Sequence, residues 1–187
     1  MKTDLAQNKK NTINTHIQKT NKINGTNNTI MPSTNTATIQ VQKRDGRKEL
    51  LDIDKIHFVV EEACEGLPGV SASLIEMNAN IQFYDGMTTK DIQNVLVKSA
   101  NDLISLEAPN YQYAAARLLM YDVRKEAHGQ YEYLPFLKLI LRNIRLGVYD
   151  KGIIDKYTKT ELKKFNTWIR RDRDLRFTYA GIRQVVD

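Results

Sequence analysis

The chain has 187 residues, with 28 Lys and Arg against 22 Asp and Glu, a formal net charge of +6 and a single cysteine, Cys64. One cysteine excludes an intramolecular disulfide framework and a zinc site built from paired cysteines. No apolar run approaches the ~18–20 residues that a membrane-spanning helix needs. With 41% hydrophobic and 27% charged residues, the composition predicts a soluble, cytoplasmic protein that can bury a core.

Residues 1–37 differ in composition from the rest of the chain. The first forty residues contain nine Thr, eight Asn and five Lys, with one acidic and no aromatic residue. Such a segment cannot bury enough apolar surface to offset its ordering entropy, so it is predicted to be disordered. Met31 is an alternative start of translation. Direct nucleic-acid binding by the lysines is a competing hypothesis, but without aromatic residues we expect neither a nucleic-acid nor a membrane partner.

The folded part is predicted to begin with a β-hairpin. Ile39 and Val41 alternate with glutamines, the period-two pattern of a short strand. Asp45-Gly46 is typical of a hairpin turn, because Gly adopts positive φ at no steric cost. A second strand is predicted over residues 48–51.

Four helices are predicted to follow the hairpin, since apolar residues recur there at helical spacing. The last of them ends at Gly129. The predicted capping residues are Asp54, then Ser71 or Ser73, then Thr88 with Asp91. The predicted apolar face of the second helix is Leu74, Met77 and Ile81.

A second helical section is predicted beyond residue 129. Its helices span about 134–146 and 159–171, the latter with a Thr158–Glu161 capping box, and a last one starts near Tyr179. Because the chain ends within that last helix, we expect a truncated product, one part of a split gene or a cropped subunit. The predicted fold class is mainly α with a small N-terminal β-hairpin (α+β).

The hairpin and the first helix carry the residues that best suit a binding site. Lys43 and Arg44 lie at the turn, and Lys55 lies at a helix start, where free backbone N–H groups favour anions. These three cations could converge on a polyphosphate. Glu49 and Asp52 could then accept hydrogen bonds from a ribose or an adenine amino group. An exposed charged hairpin without a ligand is the alternative.

Several motifs, in this order, resemble the ATP-cone, the regulatory nucleotide-binding domain at the N-terminus of many ribonucleotide reductases. They are Val41–Gly46, Asp54–Ile56, Ile81–Gly86, Thr89 and Tyr111–Leu118. Later motifs resemble the region that follows in the large (α) subunit of class Ia enzymes: Arg124-Lys125, Tyr149-Asp150, Tyr157-Thr158, Asp172–Asp174 and Phe177–Ala180. The resemblance implies an ATP-cone over 38–129 and the truncated helical start of the catalytic subunit over 130–187.

The resemblance also implies that ATP, with Mg²⁺, activates and that dATP inhibits. The implied nucleotide ligands are Val41, Lys43, Arg44, Glu49, Asp52, Lys55, Ile56, Thr89, Gln93, Tyr121 and Lys125. The chain departs from the family's familiar residues at Asp52, where a relative has Asn, and at Gln93 and Asp122, where His is familiar. Phe is frequent at the position of Tyr121.

Ribonucleotide reduction in this family uses thiyl-radical chemistry, which needs a catalytic cysteine, a reductant cysteine pair and a ten-stranded barrel. One cysteine and 187 residues cannot supply these groups, so we expect no catalysis by this chain alone, only by a full-length oxidoreductase subunit. The implied partners are the remainder of the α subunit, a second α subunit and the radical-generating β subunit. A stand-alone ATP-cone acting in trans is an alternative; a nucleotide-sensing transcription regulator is another, which the lack of paired cysteines contradicts.

Overall fold

The computed structural model describes residues 39–186, so the predicted disordered tail and Met31 lie outside the described residues. The described part is mainly helical with one small sheet, which confirms the predicted fold class. Its strands are Gln40–Gln42 (β1), Lys48–Leu50 (β2) and Met87–Thr88 (β3). Its helices are Ile53–Cys64 (α1), Ala72–Asn80 (α2), Thr89–Asp102 (α3), Tyr111–His128 (α4), Phe136–Arg145 (α5), Gly152–Lys156 (α6), Lys159–Phe165 (α7) and Tyr179–Val186 (α8), with a 3₁₀ helix over Arg171–Arg176. None of the helices in this range is long and apolar enough to cross a membrane.

The sheet has the strand order β2-β1-β3. β1 pairs antiparallel with β2, with Val41 opposite Glu49, and parallel with β3, with Val41 opposite Met87. The sequence predicted only the two hairpin strands. The third was missed because its two residues are too few to show an alternating pattern.

The first helix begins two residues earlier than predicted, and Asp52 rather than Asp54 is its N-cap. Asp52 has an extended backbone, and its carboxylate accepts a hydrogen bond from the backbone N–H of Lys55 at 3.1 Å. Asp54 lies inside the first turn, where its negative charge interacts favourably with the positive end of the helix dipole. Asp52 therefore has a structural role in addition to its predicted contact with a ligand.

The other predicted caps agree with the structure. Ser71 caps α2, and Thr88 caps α3 by accepting from the Asp91 backbone N–H. Thr158 and Glu161 form the complete capping box predicted for α7. That helix ends at Phe165, however, well before the predicted residue 171, and the chain continues through the 3₁₀ helix.

The predicted apolar face of α2 is wrong. Leu74, Met77 and Ile81 are exposed, with Ile81 at 82%, whereas Ile75 and Ala79 are fully buried. Both sets satisfy the spacing of a helical stripe, so periodicity did not distinguish them. Packing selects the set that includes Ala79, whose small side chain lets the helix approach its neighbours closely.

The hydrophobic core lies between α1, α2, α3 and α4. Its fully buried side chains include Val60, Ile75, Leu96 and Leu118, and three consecutive alanines, 114–116, allow close packing against α4. Ile182 of α8 belongs to the same core, and the last helix packs against α4. The core thus fixes the helices on which one side of the candidate site is built.

Candidate functional site

The hairpin tip is a tight turn held by backbone bonds. The Gly46 N–H donates to the Lys43 carbonyl at 3.0 Å, and the Lys43 N–H donates to the Arg47 carbonyl at 2.7 Å. Gly46 has φ +85°, the left-handed conformation expected of glycine in such a loop. The Asp45 carboxylate accepts from the backbone and side chain of Arg47, which braces the turn from within. The turn therefore presents Lys43 and Arg44 together.

A cavity of about 470 Å³ lies between the hairpin, α1, the start of α3 and the end of α4. This volume falls within the range of about 300–1,000 Å³ that is common for small-molecule sites. Ten of the eleven residues predicted as nucleotide ligands line it: Val41, Lys43, Arg44, Glu49, Asp52, Lys55, Ile56, Thr89, Gln93 and Lys125. The structure thus brings together residues that lie up to 84 positions apart in the chain.

Three of the four cations at the cavity contact carboxylates. The pairs are Lys43–Glu49 at 2.9 Å, Lys55–Asp52 at 2.9 Å, and Arg44–Asp122. The hydrogen bond to the Lys55 side chain is the main reason that the pKa of Asp52 is lowered, and the same bond raises the pKa of Lys55. Both shifts favour the charged forms of Asp52 and Lys55.

Lys125 is the fourth cation, and its setting is different. No carboxylate of residues 39–186 lies within ion-pair distance of its ammonium group. Burial, followed by the nearby positive charge of Arg44, lowers the pKa of Lys125. A half-buried ammonium without an ion-pair partner at the edge of a cavity is a group that an anionic ligand would stabilise.

The cavity is also lined by apolar and aromatic residues. They are Val41, Leu51, Ile56, Val59, Ile92, Leu96 and Tyr131. Val41 is only 3% exposed and also belongs to the hydrophobic core. A cavity lined by both cationic and apolar side chains can hold an anionic group and a flat ring at the same time.

Gln93 and Tyr121 are placed differently from the other predicted ligands. Gln93 is buried, and its amide nitrogen donates to the Leu118 carbonyl at 2.8 Å, so it joins α3 to α4 as well as lining the cavity. The structure does not bring Tyr121 to the cavity. The ring of Tyr131 lies beside it, with centroids 5.3 Å apart, and Tyr131 faces the cavity instead.

Sequence reasoning missed Tyr131 as a residue of the site. The chain turns at Gly129, with φ +70°, and folds back so that Tyr131 covers the end of α4. Its hydroxyl donates to the Glu62 carboxylate, and the guanidinium of Arg124 lies 4.9 Å from its ring centre. The available signal was an aromatic residue two positions after a glycine C-cap, where side chains pack back on their helix.

The residues with nucleophilic or metal-binding potential lie elsewhere. Burial raises the pKa of the Cys64 thiol to about 11, which keeps it protonated and unreactive at neutral pH. His57 contacts Glu76 and Glu61, and the hydrogen bond to Glu76 raises its pKa. Within residues 39–186 no three His, Cys, Asp or Glu side chains are grouped so as to hold a metal ion. The cationic lining of the cavity suits the binding of an anion.

Comparison with known proteins gives one domain family and a consistent set of relatives. Residues 39–126 match the model of the ATP cone domain. The chain is 45% identical over 148 residues to ribonucleoside-diphosphate reductase 1 subunit alpha of Salmonella typhimurium, and 45% identical over 145 residues to the Escherichia coli protein of the same name. It is 40% identical over 149 residues to the subunit alpha of Enterobacteria phage T4. These matches cover 78–79% of this chain but only 19% of each relative, so the chain spans about a fifth of their length.

Proposed function

We propose, from the match of residues 39–126 to the ATP cone domain, that the chain is the effector-binding region of a ribonucleoside-diphosphate reductase alpha subunit. In this proposal residues 38–129 bind the nucleotide, and residues 130–187 begin the catalytic part of the subunit. ATP in the cavity permits activity and dATP inhibits it, which controls the synthesis of deoxyribonucleotides. The partners that follow are the remainder of an alpha subunit, a second alpha subunit and a radical-generating beta subunit.

The observation that carries the proposal is the convergence of four cations on one cavity that is also lined by apolar side chains. Lys43, Arg44, Lys55 and Lys125 lie where they can contact a triphosphate, and Val41 and Ile56 lie where they can pack on a base. Arg offers a planar fork to a phosphate and Lys a point charge, so the set suits several phosphate groups at once. Mg²⁺ would then bind through the phosphates of the nucleotide.

Regulation requires that ATP and dATP stabilise different states, because an effector shifts an equilibrium only through its differential affinity. The two nucleotides differ by one ribose hydroxyl. Glu49 and Asp52 are the acceptors at the cavity that can contact a sugar hydroxyl or an adenine amino group. We propose no catalytic residue in this chain, since its single thiol, Cys64, is half-buried and protonated at neutral pH.

The test is calorimetric titration of the chain with ATP and dATP in the presence of Mg²⁺. We expect the wild type to bind both, and dATP more tightly. A hydrogen bond to a charged group contributes about 1.5–3 kcal/mol, so Lys43→Ala and Lys55→Ala should each weaken binding about tenfold or more.

Lys48→Ala is the matched control, because Lys48 lies in the same hairpin but does not line the cavity. It should leave the affinity within about twofold, since an exposed charge outside the site contributes little. Undiminished binding in both the Lys43 and the Lys55 variants would refute the site assignment. Absence of ATP binding by the folded wild type would refute the proposed function.

A further inference from the structure

The ion pair between Arg44 and Asp122 differs from the other two pairs at the cavity. In those, both partners line the cavity and lie within six residues of each other in the chain. Asp122 instead comes from α4, 78 residues from Arg44, is only 7% exposed and does not line the cavity. It thus holds a cavity cation from outside the cavity.

Charged groups of both signs lie near this pair. Asp122, Lys125 and Glu126 share one face of α4, and Glu126 is bound by Lys90 at 2.8 Å. Lys125 has no ion-pair partner among residues 39–186, and its positive charge acts on Asp122 only from a distance. The direct contact of the Asp122 carboxylate is therefore with the Arg44 guanidinium.

A carboxylate and a phosphate bind a guanidinium through the same donors. A phosphate that takes Arg44 must therefore replace Asp122 or share Arg44 with it, and the Asp122 charge repels the phosphate in either case. We infer that Asp122 is an internal competitor for Arg44, which weakens the binding of polyphosphates to this cavity. The inference rests on the proposed function, because it assigns a regulator of affinity to the same site.

Removing the Asp122 charge should consequently strengthen binding, which loss of structure does not do. Asp122→Asn keeps the size of the side chain and an oxygen acceptor for Arg44. We expect it to bind ATP about two- to fivefold more tightly than the wild type, because an ion pair that must be broken costs up to about 1 kcal/mol. The same gain is expected with inorganic tripolyphosphate, which has no base or sugar.

Two further variants separate competition for Arg44 from a general effect of charge. Glu126→Gln removes one negative charge a single turn away on the same helix, from a carboxylate bound to Lys90 rather than to Arg44. It should raise the affinity less than twofold. In the Arg44→Ala background, Asp122→Asn should lose most of its gain, because the contested cation is absent.

A measurement on the wild type covers the case in which Asp122→Asn fails to fold. On titration with ATP, the carboxyl ¹³C signal of Asp122 should shift, because the contact of this carboxylate with Arg44 changes whether Arg44 leaves it or is shared with a phosphate. Equal or weaker ATP binding by folded Asp122→Asn, an equal gain from Glu126→Gln, or an unchanged Asp122 signal at saturation would overturn the inference. Binding of neither ATP nor tripolyphosphate by any variant would overturn the proposed function and this inference with it.

Discussion

The two walls of the cavity differ in how they are held in place. The helical wall, α3 and α4, supplies much of the core, with Leu96 and Leu118 fully buried. The hairpin wall has strands of three residues each, and Val41 is the one side chain of these two strands that is buried. The cations at the hairpin tip therefore lie on the wall with the least packing. Local stability follows buried contacts, so the hairpin should move more easily than the helices when a ligand binds.

The largest expected effect tests the rigid wall. Leu118→Ala removes a fully buried side chain at the contact of α3 with α4 and leaves a cavity. The free energy of unfolding should fall by about 2–5 kcal/mol. Urea unfolding followed by circular dichroism measures this change.

Leu106→Ala is the control for that experiment, because Leu106 is 96% exposed. Its free energy of unfolding should stay within about 0.5 kcal/mol of the wild type. A similar loss in both variants would contradict the assignment of Leu118 to a packed core, and the contrast between the two walls would then have no basis.

A smaller effect is expected at the hairpin tip. Gly46 has φ +85°, and a Cβ added there meets no atom within 4 Å, so Gly46→Ala strains the backbone without a steric clash. The cost is about 1 kcal/mol, which favours an altered turn. Because the turn positions Lys43 and Arg44, ATP affinity should fall by up to about fivefold in calorimetry.

Gly69→Ala provides the comparison. Gly69 has φ +72° and equally free space around its Cβ position, but it lies outside the hairpin that carries Lys43 and Arg44. The two variants should lose similar stability, and only Gly46→Ala should lose ATP affinity. Equal affinity in both variants would show that the turn geometry does not position the cations.

Local sequence patterns predicted most of the secondary structure. The hairpin, the helices through α4 and the capping box of α7 have local signals, namely alternation, helical spacing and capping residues. The errors lie where local signals are ambiguous. Two aspartates close together both resemble a cap, and the backbone of Asp52 decided between them. Two overlapping stripes on α2 both resemble a buried face, and packing decided between those.

In the candidate site, too, local motifs predicted some residues and missed others. A resemblance carried by local motifs supplied the residues that line the cavity, including Lys43 and Lys55. It did not supply Tyr131, which reaches the site through a reversal of the chain at Gly129, or the pairing of Arg44 with Asp122. Contacts between distant residues depend on the tertiary fold, so no spacing rule contains them.

The smallest expected effect is a proton uptake by Lys125, which lies on the helical wall but faces the hairpin. Burial and the charge of Arg44 lower the pKa of Lys125 below 10.5 in the folded chain, so the unfolded chain holds this proton more tightly. Between the lowered pKa and 10.5, stability from this group therefore rises with pH. A bound triphosphate favours the charged form and raises the pKa again. ATP binding should thus take up a fraction of a proton above neutrality, and its affinity should fall as the pH rises.

Calorimetry in two buffers with different ionisation enthalpies measures this uptake at pH 7 and at pH 9.5. Lys125→Arg keeps the positive charge but does not titrate in this range, so it should bind ATP without the Lys125 share of the uptake. At a pH well below the lowered pKa, Lys125 is charged in both the free and the bound chain, and the two proteins should give the same proton balance. An identical uptake by both at pH 9.5 would mean that the phosphates do not reach Lys125. The ligand would then be held mainly by the hairpin wall, and the helical wall would act only as its rigid support.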